Sequence, residues 1–311
     1  MKLPDFPWDE LTPYAERAKQ HPGGLIDLSV GTPVDPTPQF IQEALRSAAN
    51  SPKYPLTAGT PELRAAIKDW AIRELGASGE FGVLPLIGSK ELVAWLPTLL
   101  QSKTLLYPEI AYPTYLVGGL IAQIKVTAVG FDAATWPSAE LAWINSPSNP
   151  TGRISSDQEL NGAINWARNN GVVVSDECYL EFGSTSKPKS ILAFSGGDNR
   201  NLLALHSLSK RSSMAGYRAA MLIGDPELIA RILEVRKHAG MMVPLPVQQA
   251  MIAALSDNKH VEQQRALYNS RKTKVRSAIE PHGFRIEHSE AGLYLHCKRV
   301  LKLIFFVCSL Y

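Results

Sequence analysis

Three consecutive pieces of sequence decide the class of fold: Leu141-Ala142-Trp143-Ile144-Asn145, then Ser156-Asp157-Gln158-Glu159 ahead of Leu160, Ile164 and Trp166, then Val172-Val173-Val174-Ser175. The outer two are short apolar runs that read as buried strands. The middle one opens with the spacing of a capping box and continues with apolar residues at helical intervals. Working outward, the same alternation holds from about residue 36 to residue 282. Further strands are expected at 104–107, 124–131, 201–206 and 219–223. Further helices are expected behind Thr60-Pro61-Glu62, with Leu63, Ala66, Ile67 and Trp70 as the apolar face, and behind Asp225-Pro226-Glu227. This is the rhythm of an α/β protein with a largely parallel sheet. Near Gly283 it changes: a long polar helical pattern over 260–282 gives way to two short strands at 284–288 and 292–297, which marks a second, smaller domain.

Composition narrows the function. The 311 residues are 45% hydrophobic and 20% charged, enough apolar material for a large core. Thirty-two Lys and Arg against 29 Asp and Glu leave a net charge of +3 without a long basic run, so nucleic acid is not an expected partner. The cysteines Cys178, Cys297 and Cys308 lack the paired spacing of a zinc site or a disulfide framework, so no metal is expected and a reducing, cytoplasmic setting fits. The first ten residues are broken by Pro4 and Pro7 and do not read as an export signal, and the apolar run 301–311 is too short to span a bilayer.

In open α/β sheets ligands sit beyond the carboxyl ends of the strands. The segments at those places are Gly88-Ser89-Lys90, Tyr112, Asn145–Gly152, Asp176-Glu177-Cys178-Tyr179 and Ser207-Leu208-Ser209-Lys210, with Arg218 eight residues on. Their chemistries complement one another. A lysine can form a Schiff base, a buried carboxylate can hold a pyridinium nitrogen, and hydroxyls, an arginine and a helix N-terminus can bind a phosphate. Together they describe a pyridoxal phosphate site. The glycines Gly76, Gly79 and Gly82 have the wrong spacing for a dinucleotide fingerprint. Ser207-Leu208-Ser209-Lys210 with Ser256-Asp257-Asn258 also fits two motifs of penicillin-recognising acyl enzymes, a rival reading that leaves Asp176, Tyr179 and Arg218 without a use.

On these residues, together with Asp27–Pro33, Tyr54, Gly59–Arg64, Ala111-Tyr112-Pro113-Thr114-Tyr115 and Arg236–Met242, the sequence resembles the class I/II aminotransferases of fold type I, and within them the N-succinyldiaminopimelate aminotransferases. The resemblance implies a mostly parallel central sheet flanked by helices in a large domain (33–265), and a smaller, incomplete α+β domain (1–32 with 266–311). It implies pyridoxal 5'-phosphate as cofactor and Lys210 as its Schiff-base lysine and proton carrier. Asp176 would face the ring nitrogen, Tyr179 and Asn149 the 3'-oxygen, and Tyr112 the ring face. Ser89, Lys90, Ser207 and Arg218 would hold the phosphate. Tyr54 would reach the phosphate of a neighbouring subunit, which makes a homodimer the expected assembly. Gly31 and Asn149 would meet the substrate. Amino acids and 2-oxo acids are the implied partners, with glutamate as donor and N-succinyl-2-amino-6-oxopimelate as acceptor, a step of lysine and diaminopimelate biosynthesis.

The family carries a late arginine that clamps the substrate carboxylate. The resemblance fades after Ala291–Leu295, and Arg299, the one arginine beyond it, does not sit in that motif. The segment 301–311 reads as out of frame or as standing where a natural end was lost. A divergent strand packed on 284–297 is its alternative. Without the clamp, cofactor binding is expected to survive and turnover to suffer, and a homologue that only binds the cofactor is the corresponding second reading.

Overall fold

The computed structural model describes residues 3–27, 29–184, 187–299 and 305–309, with the side chains of 299 and 305–309 outside the description. Seven strands form the main sheet: β1 (Gly82–Ile87), β2 (Thr104–Pro108), β3 (Lys125–Val129), β4 (Leu141–Asn145), β5 (Val172–Asp176), β6 (Leu202–Ser207) and β7 (Ala219–Gly224). Their spatial order is β1-β7-β6-β5-β4-β2-β3. Only β7 runs against its neighbours, so the other six point the same way and deliver their carboxyl ends to one edge. The chain enters β7 at that same edge, which places Arg218 there too.

The helices are α1 (Thr12–Lys19), α2 (Gln39–Ser47), α3 (Pro61–Trp70), α4 (Ser89–Leu99), α5 (Thr114–Ile121), α6 (Asp157–Asn169), α7 (Leu208–Arg211), α8 (Pro226–Ala239), α9 (Leu245–Ser256) and α10 (Lys259–Ile279). Successive residues along a strand face opposite sides of the sheet, and both sides are covered. Leu202, Ala204, Met221 and Ile223 pack with Leu63, Ile67 and Trp70 of α3, Ala163 and Ile164 of α6, and Met251 of α9. Leu203, Leu205, Ala220 and Leu222 pack with Leu92 and Leu96 of α4, Tyr115 of α5, and Ile229 and Ile232 of α8. This is why the strands read as unbroken apolar runs rather than as alternating ones.

The caps read from sequence form. Thr60 accepts from the Leu63 N–H, Asp225 from Glu227 and Leu228, and Ser156 with Glu159 closes a reciprocal capping box. Strand β1 is not among the strands expected from the sequence, because Pro85 interrupts it. As an edge strand paired only with β7, it tolerates a residue that cannot donate on both sides.

A second, antiparallel sheet holds β8 (Phe284–His288), β9 (Tyr294–Arg299) and β10 (Phe305–Ser309) in the order β10-β9-β8. The tail strand pairs with β9 in the register Cys308 with Leu295. The residues joining β8 to β9 fold back on the main sheet: the Ala291 N–H donates to the Gly152 carbonyl at 2.9 Å, and Gly183 bridges Ala291. Gly152 has φ +73°, and a Cβ there would stand 2.7 Å from the Ala291 oxygen, so this contact requires glycine.

Candidate active site

A cavity of about 680 Å³ opens at the carboxyl edge of the main sheet. Gly31, Ser89, Lys90, Tyr112, Asn149, Asp176, Tyr179, Ser207, Lys210 and Arg218, ten of the eleven residues singled out from sequence, line it. Tyr54 does not. Its side chain is 93% exposed, away from the cavity of its own chain. Ser256, Asp257 and Asn258 lie elsewhere as well: Asp257 bonds His260, and Asn258 bonds Arg211 and Glu74. The residues required by the acyl-enzyme reading are therefore not gathered.

Asp176 ends β5, hydrogen-bonded between β4 and β6, and is only 7% exposed. Its Oδ2 accepts from the Tyr115 hydroxyl at 2.8 Å and its Oδ1 from the Cys178 N–H at 3.2 Å. Burial pushes the carboxyl pKa up, and these two donors oppose it. Asn145, which ends β4, holds the adjoining loop. Its Nδ2 donates to the Asp176 carbonyl at 2.9 Å and to the Pro147 carbonyl at 3.1 Å, and its Oδ1 accepts from the Asn149 N–H at 2.7 Å. Asn149 thus reaches the cavity on a loop locked to the end of β5. Beside it, the Tyr179 hydroxyl lies 2.7 Å from that of Tyr294, which comes from β9. Burial raises the Tyr179 pKa well above the ordinary phenol value, so its hydroxyl keeps its proton.

Ser207 ends β6 and caps the short helix that carries Lys210, accepting from the Ser209 N–H at 3.1 Å and donating to the Ser209 hydroxyl at 2.9 Å. Lys210 donates to the carbonyl of Gly31. Burial brings its ammonium down to about 8, and the Arg218 guanidinium acts in the same direction. Across the cavity, Ser89 and Lys90 open α4, whose first N–H groups lack partners within the helix. Gly88 precedes them with φ +76°, and a Cβ there would stand 2.1 Å from a guanidinium nitrogen of Arg218. Only glycine lets the arginine approach that helix end. The Lys90 ammonium lies 5.0 Å over the ring of Phe6, so at this position the backbone amide and not the side chain adjoins the helix terminus. Tyr112 meets Tyr115 edge-on at 6.1 Å between ring centres.

Sequence reading quoted Asn145, Tyr115 and Tyr294 within its motifs without giving them a role, and it gave none to the N-terminal Phe6 and Trp8; all five line the cavity. Asn145 carried a usable signal, a polar residue closing an apolar strand. Tyr115 reads as core in an apolar helix, and the approach of Phe6, Trp8 and Tyr294 depends on contacts between distant parts of the chain.

These features fit pyridoxal phosphate: an amine of lowered basicity, a buried carboxylate, the hydroxyls of Ser207 and Tyr179, and a guanidinium pressed against a helix N-terminus through a glycine. Residues 24–298 match the family model described as aminotransferase class I and II. The chain belongs to that family. Its cofactor is pyridoxal 5'-phosphate and its reaction is the transfer of an amino group between amino and oxo acids. Among curated relatives of this aminotransferase is the 4-dedimethylamino-4-oxo-anhydrotetracycline transaminase OxyQ of Streptomyces rimosus, 49% identical over 96% of this chain and 85% of that one. A probable aminotransferase of Mycobacterium tuberculosis is 50% identical over 96% of this chain and 73% of that one. Among solved structures, a probable N-succinyldiaminopimelate aminotransferase from Thermus thermophilus superposes with a TM-score of 0.87 at 26% identity, covering 95% of this chain and 85% of that one. Among the described residues no helix of this aminotransferase is long and apolar enough to cross a membrane.

Proposed function

We propose that this aminotransferase takes the amino group of glutamate and delivers it to N-succinyl-2-amino-6-oxopimelate, a step of lysine and diaminopimelate biosynthesis, as a homodimer in the cytoplasm with a large domain over 33–265 and a small one from 1–32 and 266–311. The observation that carries the catalytic part is the convergence of Lys210, Asp176, Tyr179, Asn149, Ser207 and Arg218 on one cavity. When bound, pyridoxal phosphate supplies an aldehyde that condenses with amines and a ring that draws electrons from the carbon next to the nitrogen.

The chain's own residues would do the rest. Lys210 Nζ would hold the cofactor's aldehyde carbon and would move the proton at the substrate Cα. An amine brought to about 8 by burial has a far larger neutral fraction near neutral pH than an ordinary lysine, which favours that task. Asp176 would keep the ring nitrogen protonated. Tyr179 and Asn149 would donate to the ring oxygen. Ser89, the Lys90 amide, Ser207 and Arg218 would receive the phosphate at the α4 N-terminus, where the helix dipole favours an anion. Tyr112 would cover one ring face. Tyr54, exposed here, adds to the phosphate site of the partner subunit. Gly31 and Asn149 meet the substrate carboxylate.

The resemblance of the motifs and the similarity to the Thermus structure support the succinylated acceptor. A second reading is favoured by the 49% identity to OxyQ: a bulky cyclic ketone as acceptor. Turnover with glutamate and each acceptor in parallel tests both. Preference for the succinylated keto acid supports the first reading, preference for a cyclic ketone replaces it with the second, and activity confined to small 2-oxo acids contradicts both.

A further inference from the structure

Tyr115 has no role in the assignments above, yet it is fully buried and, beside the Cys178 thiol, is a side-chain donor to Asp176. It stands in α5 between the two groups expected to hold the cofactor ring. Its hydroxyl meets Asp176, and its ring meets Tyr112 edge-on, with the Trp143 ring 5.2 Å behind it. Trp143 projects from β4, so Tyr115 cannot shift without disturbing the sheet face.

We propose that Tyr115 is a positioning residue that sets the orientation and charge of Asp176, and through it the protonation of the cofactor's ring nitrogen. The inference rests on the role proposed for Asp176. A carboxylate has about four acceptor sites. The Cys178 N–H takes one on Oδ1 and the Tyr115 hydroxyl one on Oδ2, which fixes the plane of the group and leaves acceptor capacity for a ring N–H. Burial disfavours the ionised form, and the Cys178 thiol, the Tyr115 hydroxyl and the Cys178 N–H favour it, with His206 acting in the same direction. A phenol facing a carboxylate in a buried site can only be the donor, and the raised Tyr115 pKa keeps its proton in place. Removing that hydroxyl raises the affinity of the buried carboxylate for a proton and frees its plane, so the proton shared with the ring nitrogen shifts toward Asp176 and the ring is left less positive.

The test compares the wild type, Tyr115→Phe, Asp176→Asn and the double variant by cofactor affinity and by the pH midpoint of the bound cofactor's visible colour change. Tyr115→Phe retains the ring packing, so folding is preserved; a circular dichroism melt of the cofactor-free protein checks this. Cofactor affinity should fall by up to roughly 10- to 150-fold, the range for a hydrogen bond to a charged group. The colour-change midpoint should move upward, because a less positive ring releases the neighbouring proton less readily. In the Asp176→Asn background the Tyr115 change should add little. Equal losses from Tyr115→Phe with and without Asp176 would overturn the inference, as would an unmoved midpoint. If Asp176→Asn itself leaves both affinity and midpoint unchanged, the role of Asp176 fails first and the inference fails with it.

Discussion

The two walls of the cavity are built differently. The wall at the strand ends is made of Asn145, Asp176, Tyr179 and Ser207, all under 9% exposed and joined to the sheet or to one another by short hydrogen bonds. The opposite wall comes from the N-terminal segment, where Phe6 is 49% and Val30 42% exposed and α1 buries none of its residues. Within that segment the Trp8 indole donates to the Ser29 carbonyl at 3.2 Å, and its attachments to the rest include Lys90 over the Phe6 ring, Lys210 to the Gly31 carbonyl and, further along, Thr37 Oγ1 to the Ser213 carbonyl and Asp35 to Arg271. Groups held by a sheet keep a fixed geometry because moving one breaks several ladder bonds at once, whereas a tethered segment can shift at the cost of one or two bonds. With the roles proposed above, cofactor chemistry would lie on the rigid wall, and the choice and admission of substrate would fall to the loose one.

Substitutions can separate the walls. The largest effect is expected at Lys210: Lys210→Ala should lower transamination at least about 10⁴-fold, since one change removes both the covalent anchor and the proton carrier, and steady-state assays at saturating cofactor would show it. Next comes Arg218→Ala, which deprives the phosphate of its guanidinium. Cofactor affinity measured by equilibrium dialysis should drop roughly 10- to 100-fold, with much of the lost kcat restored at high cofactor concentration. On the loose wall, Trp8→Ala should raise the KM for the amino donor several-fold and leave cofactor affinity within about twofold. A change in cofactor affinity as large as that of Arg218→Ala would erase the distinction between the walls.

The smallest effect is a pH dependence of stability. Lys210 drops from 10.5 to about 8 in the folded protein, so between about 8 and 10.5 the unfolded chain binds more protons at this position than the folded one. Stability therefore rises with pH through that window, and below it the buried ammonium is a cost. Lys272, also brought to about 8 by burial, acts in the same window, so the Lys210 share must be read as a difference between variants. Lys210→Met should stabilise the cofactor-free protein by about 1–2 kcal/mol at pH 7, after allowance for partial exposure, and by almost nothing at pH 11. Urea unfolding at the two pH values measures it.

The rigid wall was legible in the sequence and the loose one mostly was not. Strands buried on both faces leave continuous apolar runs, so Asp176, Asn149, Ser207 and Lys210 could be found by looking just past them. Caps such as Ser156 with Glu159 are local and equally readable. What stayed hidden depends on long-range approach. The Tyr115 hydroxyl is paired with a residue 61 positions away, and Tyr179 with one 115 away. The Gly31 carbonyl meets an ammonium 179 residues on. Nothing in the periodicity around Tyr115 or Tyr294 distinguishes a tyrosine that pairs across the fold from one that fills a core.

The central claim is that the Lys210 amine is the point of attachment for the cofactor. Borohydride reduction of the protein incubated with pyridoxal phosphate, followed by peptide mass spectrometry, tests it directly. The account predicts a phosphopyridoxyl group on Lys210 at one equivalent per chain, with loss of the yellow colour. Label distributed over other lysines, or none at 210, would contradict it.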